Sequence, residues 1–124
     1  MRPKSKTLTE QELEIMKIVW DHRVCTVRDV YEALLERRKI AYTTVMTMMN
    51  ILEEKGYLRK RAEDKAHVYR PTKAKAKVIQ AMVEDFLNRV FNGAAQPLLV
   101  QLVKDQHLSE HDLKEIVRRI KEAE

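Results

Sequence analysis

At 124 residues, 44% of them apolar, the chain is long enough to bury one modest core and short enough to exclude a large multidomain architecture. Lys and Arg number 24 against 19 Asp and Glu, and the resulting net charge of +5 permits a polyanionic partner without demanding one. No apolar run approaches the roughly 18 residues that cross a bilayer, the first ten residues lack the apolar block of a secretory signal, and Cys25 is the one cysteine, so the expectation is a soluble cytoplasmic protein with no membrane insertion, no disulfide, no thiolate metal site and no cofactor.

Thr9 with Glu12 makes a capping box, after which Leu13, Met16, Val19 and Trp20 form the apolar side of a first helix. Thr26 starts a second in the same way, with Asp29 in its first turn and Val27, Val30 and Leu34 on one side. Only His22 to Cys25 remain between the two, which predicts a tight turn.

The next stretch, AYTTVMTMMNILEEKG (Ala41 to Gly56), has helical periodicity, with Val45, Met48, Met49 and Leu52 within one narrow arc. Thr43, Thr47, Asn50 and Glu54 lie opposite, so the solvent side of this third helix carries no charge until Glu53. In a chain that is 35% charged, such a face needs a reason. Gly56 is placed to end the helix with a positive φ, as is Gly93 after a later one.

Tyr57 to Arg61 and His67 to Arg70 read as strands joined by a charged loop around Glu63 and Asp64, and Pro71 closes the hairpin. Six basic residues fall between Lys55 and Arg70 (Lys55, Arg59, Lys60, Arg61, Lys65, Arg70) against Glu63 and Asp64, so most of the positive surplus sits here. Arg37, Arg38 and Lys39 add a second, acid-free run.

Thr72 is expected to cap a long helix reaching about Asn92. A short helix with Pro97 in its first turn and a last one opened by Ser109 and Asp112 follow. Their apolar stripes include Ile79, Val83, Phe86, Val90, Leu99, Leu102, Leu113, Ile116, Val117 and Ile120. Burying these against a second copy of the chain gives a symmetric dimer; the competing arrangement is an intramolecular bundle. The predicted architecture is mainly α: a winged helix-turn-helix DNA-binding domain with a small β-hairpin wing over residues 1–72, then a three-helix C-terminal dimerisation region over 73–124.

A helix that enters the major groove cannot carry acids on its leading side, because phosphates repel them. Base edges need short donors, acceptors and methyl groups, which Thr, Asn and Met supply. A cationic hairpin directly after such a helix would follow the phosphates and give salt-sensitive, sequence-blind affinity. The rival reading is a winged-helix module whose Thr- and Met-rich face docks on protein. An enzyme is not expected: Cys25 lies three residues from His22, but no acid is placed to orient the pair. His107 and His111 are four apart with Ser109 as an N-cap between them, so they share no helix face for a metal.

The runs TVRDVYEAL (Thr26 to Leu34), AYTTVMTMMNILEEKGYLRK (Ala41 to Lys60) and HVYRP (His67 to Pro71) resemble the penicillinase-repressor family, the BlaI/MecI/CopY winged-helix repressors. The likeness extends from LTEQELEIMKIVW (Leu8 to Trp20) through the terminal helices. It implies homodimeric repressors on palindromic operators of antibiotic-resistance or related genes, with Thr43, Thr44 and Thr47 as operator contacts and the hairpin as the phosphate-facing wing. Met46 and Ile51 stand where polar or basic residues are frequent in the family. The resemblance also implies release from DNA through a membrane-bound metalloprotease sensor and cleavage of an Asn-Phe bond, whose counterpart here is Gln101-Leu102. The copper-responsive branch ends in a cysteine-rich tail that finds no match after Cys25.

Residue chemistry and resemblance together give Tyr42, Thr43, Thr44, Met46, Thr47 and Asn50 as the candidate base-facing set, and Arg59, Lys60, Arg61, Lys65, His67 and Arg70 as the candidate phosphate-facing set. The expected partners are double-stranded operator DNA, a second copy of the chain and the protease pathway.

Overall fold

The computed structural model describes residues 7–123. Chain contacts divide it into two compact units, one up to Gln80 and one from Ala81 onward. Residues 1–6, part of the segment on which the signal-peptide expectation rested, lie outside the described residues. Among the described residues no helix is long and apolar enough to cross a membrane.

The first unit opens with α1 (Glu10–His22). Thr9 caps it as expected: the Glu12 N–H donates to Thr9 Oγ1 at 3.1 Å and the Thr9 N–H to Glu12 Oε1 at 2.8 Å. Helix α2 (Val27–Leu35) carries the same reciprocal box between Thr26 and Asp29. Helix α3 (Tyr42–Glu54) has no side-chain cap, and it ends into Gly56 at φ +88, where the Tyr57 N–H returns to Leu52 O at 2.9 Å. That left-handed conformation is the one glycine adopts without a Cβ penalty.

Strands β1 (Leu58–Glu63) and β2 (Ala66–Pro71) then form an antiparallel hairpin in which Arg59 faces Arg70, Lys60 faces Tyr69 and Glu63 faces Ala66. The turn needs no glycine because Asp64 takes φ +52, a conformation Asp tolerates better than most residues. Tyr69 also bridges to Cys25, with the Cys25 N–H donating to Tyr69 O at 3.1 Å and the Tyr69 N–H to Cys25 O at 2.7 Å. The turn before α2 therefore acts as a third, minimal strand.

The core of this unit is Ile15, Met16, Val19, Val30, Leu34, Val45, Met49, Leu52, Leu58 and Tyr69. Two faces differ from the periodic reading. In α1 the buried apolar positions are Ile15, Met16, Ile18 and Val19, while Leu13 and Trp20 are half-buried; α2, α3 and β2 pack against this helix. In α3 Met48 is likewise only half-buried. Thr72 caps no helix: its hydroxyl donates to Gly56 O and its N–H to Tyr57 O, and α4 (Lys75–Phe91) begins three residues later.

The division between units falls inside α4. The second unit continues with α5 (Gln96–Lys104), with Pro97 in its first turn, and α6 (Glu110–Ala123), opened by the Ser109–Asp112 box. Gly93 takes φ +85 after α4, as the sequence predicts. No residue of α5 or α6 is buried.

Candidate nucleic-acid interface

The side of α3 away from the core is set by the positions of Val45, Met49 and Leu52, all fully buried. A helix that buries these turns Tyr42, Thr43, Thr44, Met46 and Thr47 to solvent, and all five are exposed. Its first turn holds no acid, so the exposed N–H groups at its start face no competing carboxylate of their own.

Beside this face lies a groove of about 630 Å³ between α2, α3 and the hairpin. Tyr42, Met46 and Asn50 contribute from α3, Lys60, Lys65, His67 and Tyr69 from the hairpin, and Thr26 and Arg28 from α2. The structure thus brings part of each candidate set together at this groove, while Thr43, Thr44 and Thr47 are exposed but do not line it, and it splits the cationic set. Alternation along the strands puts Lys60 and His67 on the groove side with buried Tyr69, whereas Arg59, Arg61 and Arg70 stand on the opposite side. Arg70 is paired there with Glu63 at 3.1 Å.

Lys55 is removed from the cationic surface altogether. Its ammonium lies 2.7 Å from Glu12 Oε1 and donates to Thr7 O at 3.1 Å, and both charged side chains are almost fully enclosed. Burial pushes the Glu12 carboxyl up, but hydrogen bonds from Lys55 and Thr9 outweigh it, so the group stays below the usual carboxylate range. This buried pair orders the junction between α1 and the end of α3, and carries no charge to the interface.

Asn50 differs from its threonine neighbours. It is half-buried, and its Oδ1 accepts a hydrogen bond from the Tyr69 hydroxyl at 3.1 Å. Burial raises the Tyr69 pKa, with the Glu53 carboxylate adding to it, so the hydroxyl remains a donor. Cys25 is buried, and burial together with the Asp29 carboxylate pushes its thiol up to about 11, the behaviour of an inert core residue.

Two contributors were invisible to periodicity. Arg28 of α2 places its guanidinium 5.7 Å from the centre of the Tyr42 ring, and Tyr31 meets the same ring edge-on at 5.4 Å. Tyr42 is thereby braced at the start of α3 by two residues of the preceding helix. The cue available in the sequence was the three-residue spacing of Arg28 and Tyr31, which puts them on one side of α2 but needs the interhelix angle before it means anything.

The arrangement offers short hydroxyls and methyls on an exposed helix face, flanked by cations and by helix-start N–H groups. This chemistry suits a nucleic-acid duplex: Thr at base edges, Lys and Arg at phosphate.

Comparison with known proteins agrees. The family described as Penicillinase repressor matches residues 8–122. The penicillinase repressor of Bacillus licheniformis is 27% identical over 115 residues, covering 93% of this chain and 90% of that protein. The transcriptional regulator BlaI of Mycobacterium tuberculosis is 34% identical over 107 residues, covering 85% and 78% respectively. Among solved structures, the monomeric form of Bacillus licheniformis BlaI in complex with the blaP half-operator is similar, with a TM-score of 0.50 and 28% identity over 60% of this chain and 87% of that one.

Proposed function

The chain belongs to the penicillinase repressor family of DNA-binding transcriptional repressors, and on that footing we propose that it represses as a homodimer on a two-fold symmetric operator, reading bases with Thr43, Thr44 and Thr47. One observation supports this reading: α3 turns Thr43, Thr44 and Thr47 to solvent, and its Tyr42, Met46 and Asn50 line the groove that holds Lys60, Lys65 and His67. The threonines supply sequence preference and the hairpin supplies phosphate affinity.

Exposure in the second unit supports the dimer. Val83, Val90, Val117 and Ile120 are each about half exposed, at 48%, 54%, 49% and 56%, and Phe86, Leu99 and Ile116 are little better covered. Leu102 and Leu113 are half-buried, while Ile79, in the first unit, is exposed. Apolar area on this scale favours association, and a second copy of the chain presents the same stripes.

Relief of repression by proteolysis would act at Gln101-Leu102. That bond lies inside α5, and the Gln101 amide donates to Asp105 one turn on at 2.8 Å. Cleavage there therefore requires α5 to open locally first.

The test is selection of binding sites from random-sequence duplexes, followed by affinity measurements over a salt series. A two-fold symmetric consensus with steep salt dependence is expected. Enrichment of no sequence, or an affinity indifferent to salt as for a Thr- and Met-lined protein surface, would overturn the assignment of the groove.

A further inference from the structure

Asn50 and Glu53 lie one turn apart on α3, and the two residues they reach on the hairpin, Tyr69 and Lys60, are a cross-strand pair. The Tyr69 hydroxyl donates to Asn50 Oδ1 at 3.1 Å. Glu53 accepts the backbone N–H of Lys60 at 3.1 Å through one carboxylate oxygen and lies 3.9 Å from the Lys60 ammonium through the other. A spacing of three puts both helix residues on one face, so one rung of the hairpin is fastened to one turn of α3. Tyr69 is held from its other edge by the reciprocal backbone bonds to Cys25.

This arrangement has an electrostatic side. Lys60 lines the groove with Lys65 and His67, yet a carboxylate sits within ion-pair distance of it, and both side chains are about two-thirds shielded, at 34% and 35% exposure. A lysine that neutralises a phosphate releases a counterion and adds about 0.9 to the salt dependence of binding, whatever the sequence. A lysine already neutralised by its own protein adds little of this.

We propose that Asn50 and Glu53 are positioning residues that hold the wing in register with the threonine face of α3, and that Glu53 in addition withholds the Lys60 ammonium from sequence-blind contact with phosphate. This rests on the reading of α3 and the hairpin as the DNA-contacting pair. Asn50 then acts on DNA through Tyr69 and the wing, and Glu53 tunes overall affinity and its salt dependence from outside the base-contacting face.

The experiment uses the full chain and two duplexes of equal length, one enriched by the wild-type protein from random sequence and one scrambled, titrated over a salt series. With Glu53→Gln, binding to both duplexes should tighten and the salt dependence steepen by up to about 0.9. Because phosphate contact is blind to sequence and the amide oxygen still accepts the Lys60 N–H, the ratio of selected to scrambled affinity should stay at its wild-type value in this variant. Adding Lys60→Ala to that variant should remove the extra salt dependence, which a merely structural role for Glu53 would not predict. Tyr69→Phe should lower the ratio and leave the salt dependence unchanged. Tyr69→Phe with an unchanged ratio overturns the proposal, as does Glu53→Gln with a wild-type salt dependence and an unchanged melting temperature. If that variant melts early, Tyr69→Phe decides alone, and an unchanged ratio overturns it. Wild-type binding indifferent to salt would overturn the underlying groove assignment, an outcome recognisable because it precedes any comparison of variants.

Discussion

The Glu12 carboxylate and the Lys55 ammonium meet at 2.7 Å with side chains only 6% and 8% exposed, joining the first turn of α1 to the residue that ends α3. Removing one partner leaves an uncompensated charge in a place water barely reaches. Lys55→Met should therefore destabilise the first unit by about 3 kcal/mol. Replacing both partners with apolar residues should cost much less, since the desolvation of both ions is relieved together. Urea unfolding of the single and double variants checks this: equal losses in the two would show that the pair is not what holds the junction.

The same pair sets an acid limit. Glu12 titrates below its ordinary value of 4.5 in the folded chain, so its contribution to stability is complete above that value. It is lost as the pH falls through the depressed folded value, because there the unfolded chain binds the proton more readily. Melting temperature should thus decline from about pH 4.5 downward, with Glu12→Gln less stable at neutral pH but flatter over the acid range. Parallel curves for wild type and variant would assign the acid loss to other carboxylates.

Gly56 holds φ +88 at the end of α3, and a Cβ placed there would meet nothing within 4 Å. Substitution by alanine therefore carries a conformational penalty without a clash, about 1 kcal/mol. Thermal denaturation of Gly56→Ala measures it. A loss several times larger would mean that the Thr72 hydroxyl contact to Gly56 O is displaced as well.

Base reading and phosphate grip should separate by residue. Thr47→Ala should relax preference at one base position by about 1 kcal/mol, roughly fivefold, and leave other positions unchanged. Lys65, in the groove and without an ion pair among the described residues, is the better probe of phosphate than Lys60. Lys65→Ala should weaken all duplexes alike and reduce the salt dependence by about 0.9. Competition against a panel of single-base variants reads both, and a Lys65→Ala effect confined to one sequence would contradict the division.

The features legible in the sequence are those whose chemistry closes over a few residues. The Thr9–Glu12, Thr26–Asp29 and Ser109–Asp112 boxes and the turns at Gly56 and Gly93 stand where local pattern puts them. The threonine face of α3 was legible for the same reason, since Val45, Met49 and Leu52 fix its opposite side. What escaped depends on partners far along the chain: Lys55 reaches Glu12 across 43 residues and Tyr69 reaches Asn50 across 19. A basic residue in a basic run gives no sign that it is buried, and an Asn on a polar face gives none that its carbonyl is engaged. The buried side of α1 was read correctly at Met16 and Val19 and misjudged at Leu13 and Trp20, because periodicity does not rank these above Ile15 and Ile18 and only the packing of α2, α3 and β2 chooses between them.

The place at which the chain can be divided follows from Val78. It is 5% exposed and belongs with the unit that ends at Gln80, although it sits on α4. The Trp20 indole also donates to Lys73 O at 3.0 Å, so the segment after the hairpin is part of the first unit. A fragment ending at Gln80 should therefore fold, whereas one ending at Thr72 loses the Val78 side chain from its core and about 2 kcal/mol with it. The longer fragment should sediment as a monomer at concentrations where the full chain is a dimer. It should bind the selected duplex more weakly by a factor of about 10² to 10⁴, because two half-sites are no longer held together. Equal sedimentation of fragment and full chain would remove the case for a dimer built from α4, α5 and α6, and the exposed stripes there would then need a different partner.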